Sequence, residues 1–524
     1  MKTNVSEFLR PLATACAVWT VGVASAHTFE RATPESQGVK SEAVSALVDR
    51  LQAGKDSVHS YMLLRHGKVI GEGYWAPYAP EYRHSLFSVS KAFVSMGIGY
   101  AVDDRKMTVN DRVNWFFPEY VPTNQPFYGR EMRVRDLLSM SSGQAYDSFD
   151  AMGKCTGTNC AAAFFQVPMK CSPGILFRYM SGNTAMLAEI HRKITGEADL
   201  VNYLRPRLFN KLGITDCEWA RLPDGVVQGG SGFELRLEDF ATIGQLLLQE
   251  GVWKGERLLP LWWVKQATSC QTAFGKVLDP VLAYHIGGGE KGGGRMANAA
   301  DDWEQGYGYQ LWMGTHETFR LCGAFGQVTI IMPSEDIVFS TQCGAGGANY
   351  LVVKAFYDTI LPGLTKEAVP ENASAQAALK AKEKALTLSY AQATNAVKAA
   401  KGVYVATAAK NPIGIVSCKF DADKLAFTLV NGFGEQTFSI GEKGWTRGLL
   451  KLEENACPET LSMLPNGAQP LAARGAWTAD GVFKFDVRFL RGPFGFKAML
   501  TMKDGKMKVD VKGISSKRYT FTAE

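Results

Sequence analysis

The sequence predicts an α+β protein in which a mixed domain is followed by a smaller antiparallel β domain. Three observations carry that expectation. Residues 27–365 begin and end on hairpin-like strand pairs with helical segments between them, as in one α+β unit whose sheet gathers strands distant in sequence. Over 366–401 the composition turns to Ala, Lys, Glu and Gln, as in Gln376-Ala377-Ala378-Leu379-Lys380-Ala381-Lys382. Strong helix formers with little apolar face predict a linker holding a solvated helix. Residues 402–524 then break into short alternating runs, such as Phe483-Lys484-Phe485-Asp486-Val487-Arg488-Phe489 and Met507-Lys508-Val509-Asp510-Val511. Period-two alternation over such runs predicts an antiparallel barrel or sandwich.

Taken in order, the chain opens on a basic start at Lys2 and Arg10, an apolar stretch from Leu12 to Val23, and the small residues Ala24-Ser25-Ala26. That layout predicts a secretory signal peptide over 1–26, cleaved after Ala26, and a periplasmic or secreted mature protein. His59 to Arg65 and Lys68 to Ile70 flank His66-Gly67 and read as a hairpin. Ser88 to Asp103 is apolar nearly all round, with Phe93, Val94, Met96, Ile98 and Val102, which predicts a helix buried at the centre of a domain. Glu238 to Gln249 reads as a second helix, with acidic residues in its first turn and Gly251 past its end. Val328 to Met332 and Ile337 to Ser340, joined by Pro333-Ser334-Glu335-Asp336, read as another hairpin.

Composition excludes several classes. The 524 residues are 46% hydrophobic and 21% charged, too apolar for a disordered chain. The net charge is +6 from 57 basic and 51 acidic residues, and the basic residues are scattered, which gives no footprint for nucleic acid. Beyond the N-terminus no run approaches the ~18–20 apolar residues of a spanning helix, so no integral membrane segment is expected after cleavage. Of the 10 cysteines, Cys16 would leave with the signal peptide, and the odd remainder implies a free thiol. Cys155 and Cys160 are near enough to pair locally, and Cys418 with Cys457 offers a staple for the C-terminal region; spacing leaves the pairing open. No CxxC pair, HExxH or close ligand pair occurs, so no metal and no cofactor are expected. Gly287-Gly288-Gly289-Glu290-Lys291-Gly292-Gly293-Gly294 lacks the Gly-Lys-Ser/Thr of a phosphate loop and reads as a surface loop. No G-x-S-x-G elbow is present, against an α/β-hydrolase.

The segment that carries chemistry is Ser88-Val89-Ser90-Lys91. A Ser and a Lys three apart on a helix share one face. With the helix starting at Ser88, the hydroxyl lies at the positive end of the dipole and the Ser88 amide is free to donate. A buried Lys91 ammonium loses hydration, its pKa falls, and the neutral amine can take the serine proton.

Four segments resemble, in family order, the serine β-lactamase and penicillin-binding superfamily, in its class C-like branch. Ser88-Val89-Ser90-Lys91 resembles the first motif. Val134-Arg135-Asp136-Leu137-Leu138-Ser139-Met140-Ser141-Ser142-Gly143 resembles the LL-x-H-x-SG segment, with Met140 in place of the His-containing stretch. Pro173-Gly174-Ile175-Leu176-Phe177-Arg178-Tyr179 resembles the segment supplying a catalytic Tyr, and Gly323-Ala324-Phe325-Gly326-Gln327 the terminal sheet motif. Gly230-Ser231-Gly232, Gly244 to Leu248 and Gly306 to Trp312 are further familiar blocks. The resemblance implies a β-lactamase-like domain over 27–365, an antiparallel sheet flanked by helices plus an all-helical lobe. It implies Ser88 as acylated nucleophile, Lys91 as its base partner, Tyr179 as phenolate or hydrogen-bond relay, and the amides of Ser88 and Ala324 as oxyanion hole.

Two departures bear on substrate. The family's Tyr-x-Asn is here Tyr179-Met180-Ser181-Gly182-Asn183, which resembles the subgroup of 6-aminohexanoate-dimer hydrolases and related esterases. Its Lys-Thr-Gly is replaced by Leu321-Cys322-Gly323. Arg320 is adjacent but faces the other way on a strand. Loss of that lysine, which helps bind a β-lactam carboxylate, favours an ester or a linear amide. Ser181, Asn183, Cys322 and Gly323 are therefore expected to contact a small-molecule ester or amide. His84 reads as structural, and Trp262, Trp263 and Trp312 as pocket or core. The expected function is a serine hydrolase, an esterase or amidase acting through an acyl-enzyme on Ser88. A β-lactamase or D-Ala-D-Ala carboxypeptidase is the alternative, and a non-catalytic cell-envelope ligand-binding protein the alternative of another class. The sequence does not set the oligomeric state.

Overall fold

The computed structural model describes residues 28–156, 160–272, 301–394, 397–411, 413–452, 468–516 and 520–524. The segment read as a signal peptide, the glycine-rich stretch at 287–294 and Cys457 lie outside these residues.

The mixed region is built on a six-stranded antiparallel sheet. Its strands are β1 (Val58–Arg65), β2 (Lys68–Tyr74), β3 (Trp312–Met313), β4 (Phe319–Gly323), β5 (Gln327–Met332) and β6 (Ile337–Cys343), in the order β2-β1-β6-β5-β4-β3. The N-terminal hairpin therefore pairs with a strand almost 300 residues away, with Leu63 opposite Phe339. Both faces are buried, so these strands read as apolar runs rather than alternating ones. One face packs Tyr61, Leu63, Ile330 and Phe339 against helices α1 (Ser41–Gln52) and α2 (Ala348–Thr359). The other packs Met62, Leu64, Ile331 and Val338 on Leu237–Leu248 and the helical lobe. Gly244 permits the close approach there, since a Cβ would come 2.6 Å from the Thr329 methyl.

At the centre of the lobe is the helix Ser90–Asp103, buried at nearly every position including Lys91. It begins two residues later than the sequence suggests. Ser88 lies in the preceding 3-10 turn Phe87–Val89. The Ser90 hydroxyl explains the change: it donates to Phe87 O at 2.5 Å and accepts from Phe233 N at 3.0 Å, which fixes the tighter turn. Cys155 and Cys160 form a disulfide, while Cys171, Cys217, Cys270, Cys322, Cys343 and Cys418 are free thiols.

The helix of the Ala/Lys-rich stretch, Ala373–Lys384, is not a free solvated rod. Leu379 is buried, Lys382 pairs with Asp49 at 2.7 Å, and Glu383 accepts from the Tyr61 hydroxyl at 2.5 Å and from Glu72 N at 3.2 Å. With Gln376, which donates to Glu35 at 2.9 Å, these side chains lay it along α1 and β2, although its buried apolar face is one residue wide.

The C-terminal region is a four-stranded and a six-stranded antiparallel sheet around one aromatic core of Phe420, Phe427, Phe483, Phe485 and Phe496. The sheets join where Thr407 and Glu524 exchange backbone hydrogen bonds of 2.9 and 3.0 Å. Inward residues alternate with outward ones along Val482–Phe489 only in its first half, because Asp486 and Arg488 are covered as well.

Candidate active site

The site is assembled where the Phe87–Val89 turn, the N-terminus of the helix Ser181–Thr195, the loop at Gly230 and the end of β4 converge. Ser88 is half-buried, and Lys91, one turn on, is fully buried. The Lys91 Nζ donates to Ser88 Oγ at 3.0 Å, to Ser181 Oγ at 3.0 Å and to Gly230 O at 2.6 Å. These three acceptors satisfy an ammonium. They serve a neutral amine equally well: two N–H bonds go to Gly230 and Ser181, and the lone pair faces the Ser88 hydroxyl. Burial pushes Lys91 down to about 7, against the opposing pull of Asp147. The amine is thus poised between its two forms near neutrality.

Tyr179 closes the other side of Ser88. Its hydroxyl hydrogen-bonds the Ser88 side chain, and its ring lies 4.9 Å from Lys91 Nζ. Burial raises its pKa well above the ordinary phenol value, with the Ser88 bond opposing. Burial therefore favours the neutral phenol over the phenolate. Trp312 and Tyr307 flank it, with ring centroids 5.3 and 6.1 Å away.

Ser88 and Ala324 each lie in the first turn of a 3-10 segment, Phe87–Val89 and Ala324–Gly326, where N–H groups have no intrahelical acceptor. Gly323 brings the two turns together: a Cβ there would stand 2.1 Å from Leu86 O. Asn349 holds that strand end, donating to Gly323 O at 2.9 Å and to Cys322 Sγ at 3.0 Å. Burial raises the Cys322 thiol to about 11, so it stays protonated.

The remaining sequence-selected residues divide. Ser181 contacts Lys91 directly. Asn183 does not reach the opening; it is fully buried, and its Nδ2 lies 3.8 Å from the Met140 sulfur. Arg320 is taken up by an ion pair with Asp302 and by the Trp303 ring 4.0 Å from its guanidinium carbon. Of the three tryptophans only Trp312 borders the site. Trp263 is buried on Gly99, and the exposed Trp262 donates to Asp103 at 3.2 Å. His84 is buried with its Nε2 3.0 Å from His59 Nδ1.

Sequence reasoning missed Asp147, which accepts from the backbone N–H of Ser181 at 2.7 Å and of Gly182 at 2.8 Å and so caps the helix carrying Ser181. An Asp on a loop thirty-odd residues away gives no capping-box signal. Among the described residues no group of three or more His, Cys, Asp or Glu is arranged to hold a metal ion, and no helix is long and apolar enough to cross a membrane.

The Beta-lactamase family model matches residues 45–249, a span that includes Ser88, Lys91, Tyr179 and Gly230. Residues 45–249 are thus similar to the beta-lactamase family. The chain is also similar to the 6-aminohexanoate-dimer hydrolase of Paenarthrobacter ureafaciens, 26% identical over 253 residues, or 45% of this chain and 63% of that protein. The match thus spans less than two thirds of that relative's length. Among solved structures, the octameric penicillin-binding protein homologue from Pyrococcus abyssi aligns with a TM-score of 0.46 and 15% identity over 92% of this chain and 99% of that one. EstCE1, a hydrolase with promiscuous acyltransferase activity, aligns with a TM-score of 0.46 and 16% identity over 60% and 100%.

Proposed function

We propose that the protein is a serine hydrolase that cleaves an ester or a linear amide through an acyl-enzyme on Ser88. The observation that carries this reading is the buried Lys91 amine, shared among Ser88, Ser181 and Gly230 and lowered to about 7. Neutral Lys91 takes the Ser88 proton as Oγ attacks the substrate carbonyl. The Ser88 and Ala324 amides hold the developing oxyanion, at roughly 3 kcal/mol for each donor. Tyr179, still protonated, gives its proton to the leaving alkoxide or amine and recovers one from Lys91. The relay then runs in reverse: water loses a proton to it, attacks the acyl carbon and releases the acid, and Ser88 regains its hydrogen.

The position of Leu321-Cys322-Gly323 separates this reading from penicillin-directed chemistry. Arg320, the cation beside that strand end in sequence, is committed to Asp302 and Trp303. An uncharged acyl portion is the better fit. Ser181, Cys322 and Gly323 are the residues proposed to contact it. Export belongs to the same proposal, supported by the basic, apolar and small-residue order before His27 and by the Cys155–Cys160 disulfide, a bond of oxidising compartments.

A panel of p-nitrophenyl esters, linear aminohexanoate amides and nitrocefin tests the reading. Ester or amide turnover that disappears in Ser88→Ala is expected. Rapid nitrocefin hydrolysis with inert esters would transfer the site to β-lactams. Absence of any turnover together with tight ligand retention would make it a binding protein.

A further inference from the structure

The residues on either side of the two oxyanion amides are both aromatic and both strained. Phe87, immediately before Ser88, has φ 50°, and Phe325, immediately after Ala324, has φ 65°. Bulky side chains rarely adopt the left-handed region, and such conformations persist only where the surroundings over-determine them. What surrounds these two comes from the other end of the chain. Phe494, in the turn between the strands Val482–Phe489 and Gly495–Lys503, packs its ring on both: 6.3 Å between centroids to Phe87 and 5.8 Å to Phe325, which are themselves 5.0 Å apart. Phe87 and Phe494 share the apolar core of the C-terminal region, with Phe325 packed against it.

The turn is firmly seated. Arg491 O accepts from Ser85 N at 2.9 Å, three residues before the nucleophile, and Gly492 O accepts from the Tyr78 hydroxyl at 2.9 Å. The Arg491 guanidinium reaches Glu218 at 2.6 Å and, through Nε, Glu234 at 2.7 Å. Farther off, Ser515 donates to Gly344 O, and Arg488 meets Asp56 at 3.3 Å.

We infer that Phe494 is a positioning residue of the active site: the C-terminal β region clamps Phe87 and Phe325 with one ring and so holds the Ser88 and Ala324 amides on a common oxyanion. This rests on the acyl-enzyme reading above and extends it, because it makes the β region a working part of the site. The clamp acts on the Phe87 and Phe325 rings, so ground-state binding should survive its loss. Donors that act on the developing charge show up in kcat, not in KM.

The test uses the full chain. Phe494→Ala, Phe494→Val and Phe494→Leu are compared with wild type for melting temperature, kcat and KM on a p-nitrophenyl ester, and the rate at which a fluorophosphonate modifies Ser88. Complete removal of an oxyanion donor costs about a hundredfold or more, so loosening two should cost about tenfold or more in kcat for the Ala variant. KM should stay within about twofold, and kcat should climb from Ala through Val to Leu. The phosphonylation rate should follow kcat. Should Phe494→Ala fail to fold, the Val variant decides, with a loss of about threefold or more expected. A folded Ala or Val variant with wild-type kcat and phosphonylation rate, however much its melting point has dropped, overturns the inference. Wild-type protein that a fluorophosphonate leaves unmodified at Ser88 refutes the underlying hydrolase reading instead.

Discussion

Replacing Ser181 by Ala should move the acidic limb of kcat/KM toward lower pH by about one unit. The hydroxyl accepts from Lys91 Nζ at 3.0 Å in a site with no exposure of the lysine. A hydrogen bond to a charged group contributes about 1.5–3 kcal/mol and one between neutral groups about 0.5–1.5. The ammonium therefore loses roughly 1–1.5 kcal/mol more than the amine when the hydroxyl goes. At 1.36 kcal/mol per pKa unit that is about one unit, downward because the charged form is the one destabilised. Gly230 O remains as an acceptor, and Asp147 still bears on the amine. Activity needs the neutral amine, so kcat/KM in wild type should rise through about 7 and that of Ser181→Ala through about 6. Initial rates on a p-nitrophenyl ester between about pH 5 and about pH 9, with Ser88→Ala subtracted, measure both limbs, since kcat/KM reports groups of the free enzyme. A limb that stays at 7 or shifts alkaline in the variant would refute the proton inventory on which the mechanism stands.

Two stability effects and one specificity effect accompany it. Arg491→Met leaves Glu234, whose side chain is 0% exposed, with Arg83 at 3.6 Å as its remaining ion-pair partner among the described residues; breaking such a pair should cost about 3 kcal/mol in urea unfolding, and a cost below about 1 kcal/mol would mean the turn is not held by that arginine. Glu189 is buried beside Asp224, and burial pushes it up to about 8 from 4.5. Its folded pKa is raised, so its contribution is whole below about 4.5 and is lost as pH climbs through 8. The melting temperature of wild type should accordingly fall relative to that of Glu189→Gln between about pH 5 and pH 8, and a constant difference across that range speaks against the assignment. Leu321→Lys restores a cation at the strand position where the family carries one; nitrocefin turnover should rise over wild type if the variant folds, and an unchanged ratio of nitrocefin to ester turnover would remove that position from substrate choice.

What the sequence made legible follows from range. Ser88 and Lys91 are three apart, so local helical geometry alone puts them on one side. The two hairpins are local too, and their positions agree with the strands observed to within a few residues. Tyr179 was reached only through its resemblance to a known motif, because no local rule brings residue 179 against residue 88. The features that stayed hidden are long-range or depend on a single side chain. Asp147 caps a helix from another loop, Asn349 ties the end of β4, and the Ser90 hydroxyl delays the α-helix by two residues. Phe494 lies more than 400 residues from Ser88 in sequence and belongs to a region whose alternating pattern spoke only of its own core. Asn183 illustrates the converse: its place near a motif suggested contact with substrate, but two residues along a helix turn a side chain to the opposite side, into the core.

The most direct test of the central claim is peptide mapping of the protein after fluorophosphonate treatment, in wild type, Ser88→Ala and Lys91→Ala. The account predicts one adduct, on Ser88, absent from Ser88→Ala and formed at least about a hundredfold more slowly in Lys91→Ala, with both variants folded. An adduct on another serine, or modification of Ser88 at the wild-type rate without Lys91, would contradict it.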